Sequence, residues 1–159
     1  MVAHIESVST LNEIVSLLAE CGLPVSDISS SQPPVFFGMR FEAGLSAVVG
    51  LEVFGSVGLL RSLAVAPAYR GRGLGVELVA FAERHAASCG INDLFLLTTT
   101  ASVFFVHLGF VPADRASAPA AIQATSQFSG LCPASSAFLR KSVAGLTSFK
   151  SVALKHGAT

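Results

Sequence analysis

The residues with the clearest chemical potential lie between positions 65 and 75, in the run VAPAYRGRGLG. Gly71, Gly73 and Gly75 stand at alternate positions beside Arg70 and Arg72. Glycine takes up positive φ without strain and lets a ligand come close to the main chain. A helix starting here would present N–H groups that have no partner within the helix, and its dipole would favour an anion. One charge at such an end gains about 0.3–1 kcal/mol. Arg70 and Arg72 can add charge-assisted bonds to phosphate. The chemistry this loop suits is the holding of a pyrophosphate.

Two other phosphate motifs fit poorly. A P-loop needs GxxxxGK[ST], and no such lysine is present. A dinucleotide fingerprint needs a glycine where Val76 stands, and an acid ending the second strand, whereas Asp93 precedes that strand. The plainer alternative is a glycine-rich turn with two solvated arginines.

The surrounding pattern supplies elements to position this loop. Residues 3–8 alternate as a short strand. Thr10 and Glu13 match a capping box, opening a helix whose Leu11, Ile14, Leu17 and Leu18 share one face and which stops at Gly22. Residues 29–34 read as a loop. Residues 35–41, 46–54 and 57–65 are rich in β-branched and aromatic types, with turn signals at 42–44 and 55–56, so they read as three antiparallel strands. Pro67 closes the third.

The spacing then predicts a helix over 74–89, with Leu74, Leu78, Phe81 and Ala82 inward, Glu77, Glu83, Arg84 and His85 wet, and Gly90 just past its end. Residues 93–99 form a buried strand parallel to the one before the helix. A short helix over 101–107 ends at Gly109-Phe110, and Pro119 opens a helical stretch to about 128. Residues 135–143 return as a last strand, and 144–159 are expected to fray. The expectation is one α/β domain over 1–159.

Composition narrows the classes of function. The chain has 159 residues, with ten Lys+Arg, ten Asp+Glu and a formal net charge of 0. That balance removes the long-range attraction a nucleic-acid or anionic-membrane binder carries. Charged residues make up 13%, against about 25% in a typical soluble domain, so the chain is not of the disordered class. No run of about 18 apolar residues exists to span a bilayer. The start, MVAHIESVSTLNE, lacks the layout of a signal peptide. Cys21, Cys89 and Cys132 form neither a disulfide framework nor a metal-ligand pair, and His4, His85, His107 and His156 share no metal-site spacing. These features suggest a reduced cytoplasm, no metal, no nucleic acid and no membrane partner. The low charge allows a homodimer surface.

With these residues in view, LRSLAVAPAYRGRGLG resembles the acetyl-CoA signature of the GNAT superfamily of N-acetyltransferases, V-x-P-x-[YFH]-[RQ]-G-x-G-x-[GA]. LLTTTASVFFVHLGFV is similar to the strand, short helix and "GF" ending of the same enzymes. The two blocks cover about residues 57–112. The resemblance implies a GNAT-like fold, a mixed, splayed central sheet flanked by helices, with acetyl-CoA as cosubstrate. Main-chain groups of Leu63, Ala64 and Val65 would bind the pantetheine arm, and Arg70, Gly71, Arg72, Gly73, Leu74 and Gly75 the pyrophosphate, with Thr98 beside the cofactor. A backbone N–H near Leu63 would polarise the thioester carbonyl, stabilising charge that develops as the amine attacks. Residues 50–65 and 115–142 are similar to the N-acetyltransferases of bacterial arsenic-resistance operons and, more distantly, to short N-acetylglutamate synthases. That narrower likeness implies a glutamate-like acceptor, such as a phosphinothricin- or arsinothricin-like amino acid.

The attacking amine must be neutral. An amine of pKa about 10.4 costs about 4.6 kcal/mol to deprotonate at pH 7, and an α-amino group near 8 about 1.4 kcal/mol. Glu52, interrupting the apolar run VVGLEVF, is the candidate base, acting through a water. Its alternative is an outward-facing strand position. Arg61 lies four residues before Val65, on the same face by strand alternation. Its guanidinium fork suits a substrate carboxylate; a structural ion pair is the alternative. The family's "FY" pair reads Phe104-Phe105, so the usual tyrosine acid is missing, leaving Cys132, Thr98, water or unassisted departure. Tyr69, the only tyrosine, is expected to pack within the loop. A module that binds acetyl-CoA without catalysis is the competing function.

Overall fold

A computed structural model describes residues 4–26, 28, 34–42, 44–131 and 136–146. Strands β1 (Glu6–Val8), β2 (Val35–Phe41), β3 (Gly44–Phe54), β4 (Val57–Val65), β5 (Asp93–Thr98), β6 (Val111–Pro112) and β7 (Ala137–Ser142) follow the order β1-β2-β3-β4-β5-β7-β6 through one open sheet. Helices α1 (Leu11–Glu20), α2 (Leu74–Ser88), α3 (Ser102–His107) and α4 (Ala120–Gln123) connect them. The pairing is mixed, because β4 and β5 run parallel while β1–β2, β2–β3, β5–β7 and β6–β7 are antiparallel. The expected α/β class and mixed sheet are present. The chain divides into two compact units, Met1–Glu52 with Leu60–Ala82, and Val53–Leu59 with Glu83–Thr159.

In the first unit, α1 buries Ile14, Leu17 and Leu18 against Val8, Ile28, Phe36, Val48 and Ala64. Each buried aliphatic side chain stabilises by about 1.5–3 kcal/mol relative to exposure. Leu11, expected on the same face, is 43% exposed. It sits in the first turn, ahead of the stripe that meets the core. Thr10 is the N-cap residue, yet its side chain caps no backbone N–H. Glu13 instead meets Arg40 Nη1 at 2.5 Å, and Glu6 takes Arg40 Nε at 2.9 Å. A charge-assisted bond outcompetes the weaker reciprocal cap. Arg40 also holds the Glu13 carboxyl below its ordinary range. The helix stops where Gly22 turns to φ 74, a left-handed conformation that glycine adopts freely.

The second unit is built around β5. Its first three residues pair with Val57–Leu59 of β4, and all six pair with β7, from Asp93↔Ser142 to Thr98↔Ala137. Leu59, Phe95, Ala118, Ile122 and Phe138 form the core there. Glu83, expected wet on α2, is buried and bonded to Lys141 of β7. The stretch opened by Pro119 breaks into α4 and a π-helical turn over Gln127–Leu131. Thr125 causes the interruption by donating to the Ile122 carbonyl at 2.7 Å and accepting from Phe128 N–H at 3.2 Å. Strand β6, absent from the sequence expectation, pairs Val111 and Pro112 with β7. The expected features at 29–33, 132–135 and 147–159 lie outside the described residues.

Candidate functional site

The glycine-arginine loop forms in the first unit. Strand β4 ends at Val65, Pro67–Tyr69 make a single 3-10 turn, and α2 starts at Leu74. Gly71 and Gly73 both have φ 79, and an added Cβ at either would meet nothing within 4 Å. The need for glycine is therefore conformational, with the side toward a ligand left open. The Glu77 N–H bonds the Gly73 carbonyl at 3.1 Å. The amides of Leu74, Gly75 and Val76 precede that bond, at the end where helix donors lack intrahelical partners. Leu74 buries its own side chain and anchors the turn.

Aromatic stacking stiffens the approach. Tyr69 lies over Phe41, with centroids 4.8 Å apart and planes 13° from parallel. The Arg72 guanidinium carbon sits 5.1 Å from the Tyr69 centroid, and its Nη2 donates to the Ala68 carbonyl at 3.3 Å. Arg70 Nε donates to the Val65 carbonyl at 2.9 Å, and its Nη2 reaches Cys21 Sγ at 3.5 Å. Both arginines are exposed, with donors to spare in each five-donor fork. This arrangement fits a diphosphate: left-handed glycine backbone, helix-start amides and two cations lie within seven consecutive residues.

On the same unit, Glu52 and Arg61 pair with each other. Arg61 Nη1 to Glu52 Oε2 is 3.1 Å, and the side chains are 0% and 17% exposed, respectively. Arg61 Nε also donates to Ser62 Oγ at 3.0 Å. Ser62 holds φ 56, the left-handed region, inside β4. That residue breaks the strict alternation from which Arg61 and Val65 would share a face. Gly50 makes room for the pair, since a Cβ there would lie 3.2 Å from Arg61 Cγ and 2.8 Å from Phe36 Cε1. Neither Gly50 nor Ser62 stands out in the sequence, because serine is not among the residues that usually mark φ > 0.

Thr98 belongs to the second unit, where its Oγ1 accepts the Ala101 N–H at 3.0 Å and shapes the entry to α3. Phe105 is buried with its ring edge-on to Phe110, at 5.6 Å. Cys132 lies outside the described residues. Among the described residues no group of three or more His, Cys, Asp or Glu is arranged to hold a metal. Among them also, no helix is long and apolar enough to cross a membrane.

Known proteins carry the same architecture. The profile of the acetyltransferase (GNAT) family matches residues 13–110. An amino-acid acetyltransferase of Pseudomonas putida is 35% identical over 124 residues, which are 75% of this chain and 29% of that protein. The same figures hold for the amino-acid acetyltransferase of Ectopseudomonas mendocina, so the chain spans less than a third of these relatives' length. Among solved structures, N-acetylglutamate synthase of Neisseria gonorrhoeae, complexed with coenzyme A and N-acetyl-glutamate, has a TM-score of 0.75 at 22% identity, covering 90% of this chain and 35% of that one. The ribosomal-protein-S18-alanine N-acetyltransferase of Escherichia coli has a TM-score of 0.67 at 16% identity, covering 89% and 94%. At such identities these structures speak to the fold alone.

Proposed function

The chain belongs to the acetyltransferase (GNAT) family, and on that premise we propose that it acetylates the amino group of a glutamate-like amino acid by direct attack. Acetyl transfer from acetyl-CoA comes with the family; the acceptor and the residue roles are the finer claim. Phosphinothricin- and arsinothricin-like amino acids belong to the same acceptor class. The named activity of the amino-acid acetyltransferase relatives supports this choice.

Acetyl-CoA would supply an activated acyl group on a good thiolate leaving group. The chain's own part is to grip, orient and move a proton. Main-chain donors from Gly71 to Val76, with Arg70 and Arg72, would hold the diphosphate. Main-chain groups of Leu63, Ala64 and Val65 would take the pantetheine arm, with an N–H near Leu63 facing the carbonyl oxygen that gains charge. Glu52 would take the proton of the amine through a water; its 17% exposure leaves the carboxylate within reach of solvent. Phe105 brings no hydroxyl, so the departing thiolate would draw its proton from water. The observation that carries the reading is the paired left-handed conformation of Gly71 and Gly73 at the start of α2.

A cytoplasmic location and a homodimer complete the proposal. The free thiols of Cys21 and Cys89 support the first, and the 52% hydrophobic composition supports the second; cell fractionation and light scattering test them. For the enzyme itself, the purified chain is incubated with acetyl-CoA and a panel of amino acids while free thiol is measured. Acceptor-dependent release greatest with glutamate-like amino acids is expected. Tight acetyl-CoA binding with no acceptor-dependent release would replace the enzyme with a cofactor-binding module.

A further inference from the structure

Glu52 and Arg61 touch each other, and the way Arg61 is held bears on how both act. The Arg61 side chain is wholly buried, while Glu52 keeps 17% exposure. With its side chain closed to solvent, this guanidinium meets a ligand only if its surroundings move. Gly50, Ser62 and Glu52 all contribute to its hold. Gly50 leaves the space that the arginine stem fills, at 3.2 Å from where a Cβ would be. Ser62, in its left-handed conformation, turns its Oγ to accept the Arg61 Nε–H at 3.0 Å. The Nη1 donor is then delivered to Glu52 Oε2 at 3.1 Å.

A non-glycine residue at φ 56 in a strand is strained, and it persists only where the surroundings over-determine the conformation. A buried ion pair adds little net stability. Strain and burial on the arginine side hold the Glu52 carboxylate from one edge while part of it stays open to solvent.

We infer that Arg61 is a positioning residue, which acts on the reaction through Glu52 and makes no contact with the acceptor. This rests on the reading of Glu52 as the base. It differs from direct capture of a substrate carboxylate, which would tie Arg61 to acceptor affinity. A positioning role ties it to turnover.

The test is a double-mutant cycle on the purified enzyme, with kcat and acceptor KM measured alongside calorimetric affinity for coenzyme A. Glu52→Gln is expected to lower kcat by about 100-fold, the low end of the range for losing a general base. Arg61→Gln is expected to lower kcat at least tenfold with less than a twofold change in KM. Adding Arg61→Gln to Glu52→Gln should cost nothing more. Arg61→Lys should recover part of kcat, and Ser62→Ala, which removes the acceptor of the Nε–H, should lower kcat with KM unchanged. Should Arg61→Gln fail to fold, by circular dichroism, the Lys and Ser62 variants carry the test.

A tenfold rise in KM for acidic acceptors at unchanged kcat would overturn the inference and make Arg61 a substrate ligand. Multiplicative losses in the double variant would overturn it too. An unimpaired Glu52→Gln enzyme would remove the base reading itself. An impaired Glu52→Gln beside unimpaired Arg61 and Ser62 variants would remove the positioning role alone.

Discussion

Lys141 Nζ donates to both carboxylate oxygens of Glu83, at 2.9 and 3.0 Å, and to the Leu108 carbonyl at 2.6 Å. Three bonds thus join β7, α2 and the turn after α3. Glu83 is 8% and Lys141 25% exposed. Removing one partner of a buried pair costs about 3–5 kcal/mol, and the partial exposure of Lys141 brings the expectation to about 2–3 kcal/mol. Lys141→Met should therefore lower the urea midpoint clearly. Glu83→Leu with Lys141→Met should recover part of the loss, since no carboxylate is left unpaired. A single-variant loss under about 0.5 kcal/mol would mean that water serves the carboxylate as well as lysine does.

Gly71 and Gly73 owe their identity to φ 79 and not to crowding. An alanine forced into that conformation costs about 1–2 kcal/mol. If the loop must hold it to bind, Gly73→Ala should weaken coenzyme A by about tenfold, as 1.4 kcal/mol is a factor of ten. Asparagine, which tolerates the left-handed region, should be milder than alanine. Equal affinities for parent, alanine and asparagine forms, measured by calorimetry, would mean that the glycines serve folding alone.

Arg40 bonds Glu13 and lowers its carboxyl pKa in the folded chain. A depressed folded-state pKa gives stability that is complete above the unfolded carboxylate range. That stability is lost as pH falls through the lowered folded value. Carboxyl NMR should show Glu13 titrating below ordinary glutamate, and returning toward it in Arg40→Gln. The difference in urea midpoint between parent and Arg40→Gln should shrink at acid pH. A gap that stays constant through the carboxylate range would assign it to packing of the arginine stem.

Local signals were legible where one segment carried all the information. Pro67 and the glycine run marked the passage from β4 to α2, and the left-handed turns at Gly71 and Gly73 follow from residue type. Where a distant partner decides, the sequence pattern misleads. Glu83 looked wet because the lysine that buries it lies 58 residues away. The capping box at Thr10 yielded to Arg40, 27 residues beyond Glu13. Strand β6 is two residues long, too short for any periodicity.

At the site, residue types point Glu52 to the amine and Arg61 to a carboxylate, with a structural ion pair as the alternative for Arg61; they do not say that Glu52 is its partner. The two residues stand nine residues apart on neighbouring strands, and their meeting depends on a register and on the left-handed conformation of Ser62. Neither can be read from strand alternation.

The most direct measurement is a calorimetric titration of the folded chain with coenzyme A, repeated on the double variant Arg70→Ala/Arg72→Ala. One ligand per chain is expected, with affinity at least tenfold weaker in the variant, from the loss of two charge-assisted contacts. A folded parent chain that gives no binding heat across several temperatures, and no protection by coenzyme A in thermal unfolding, would contradict the account.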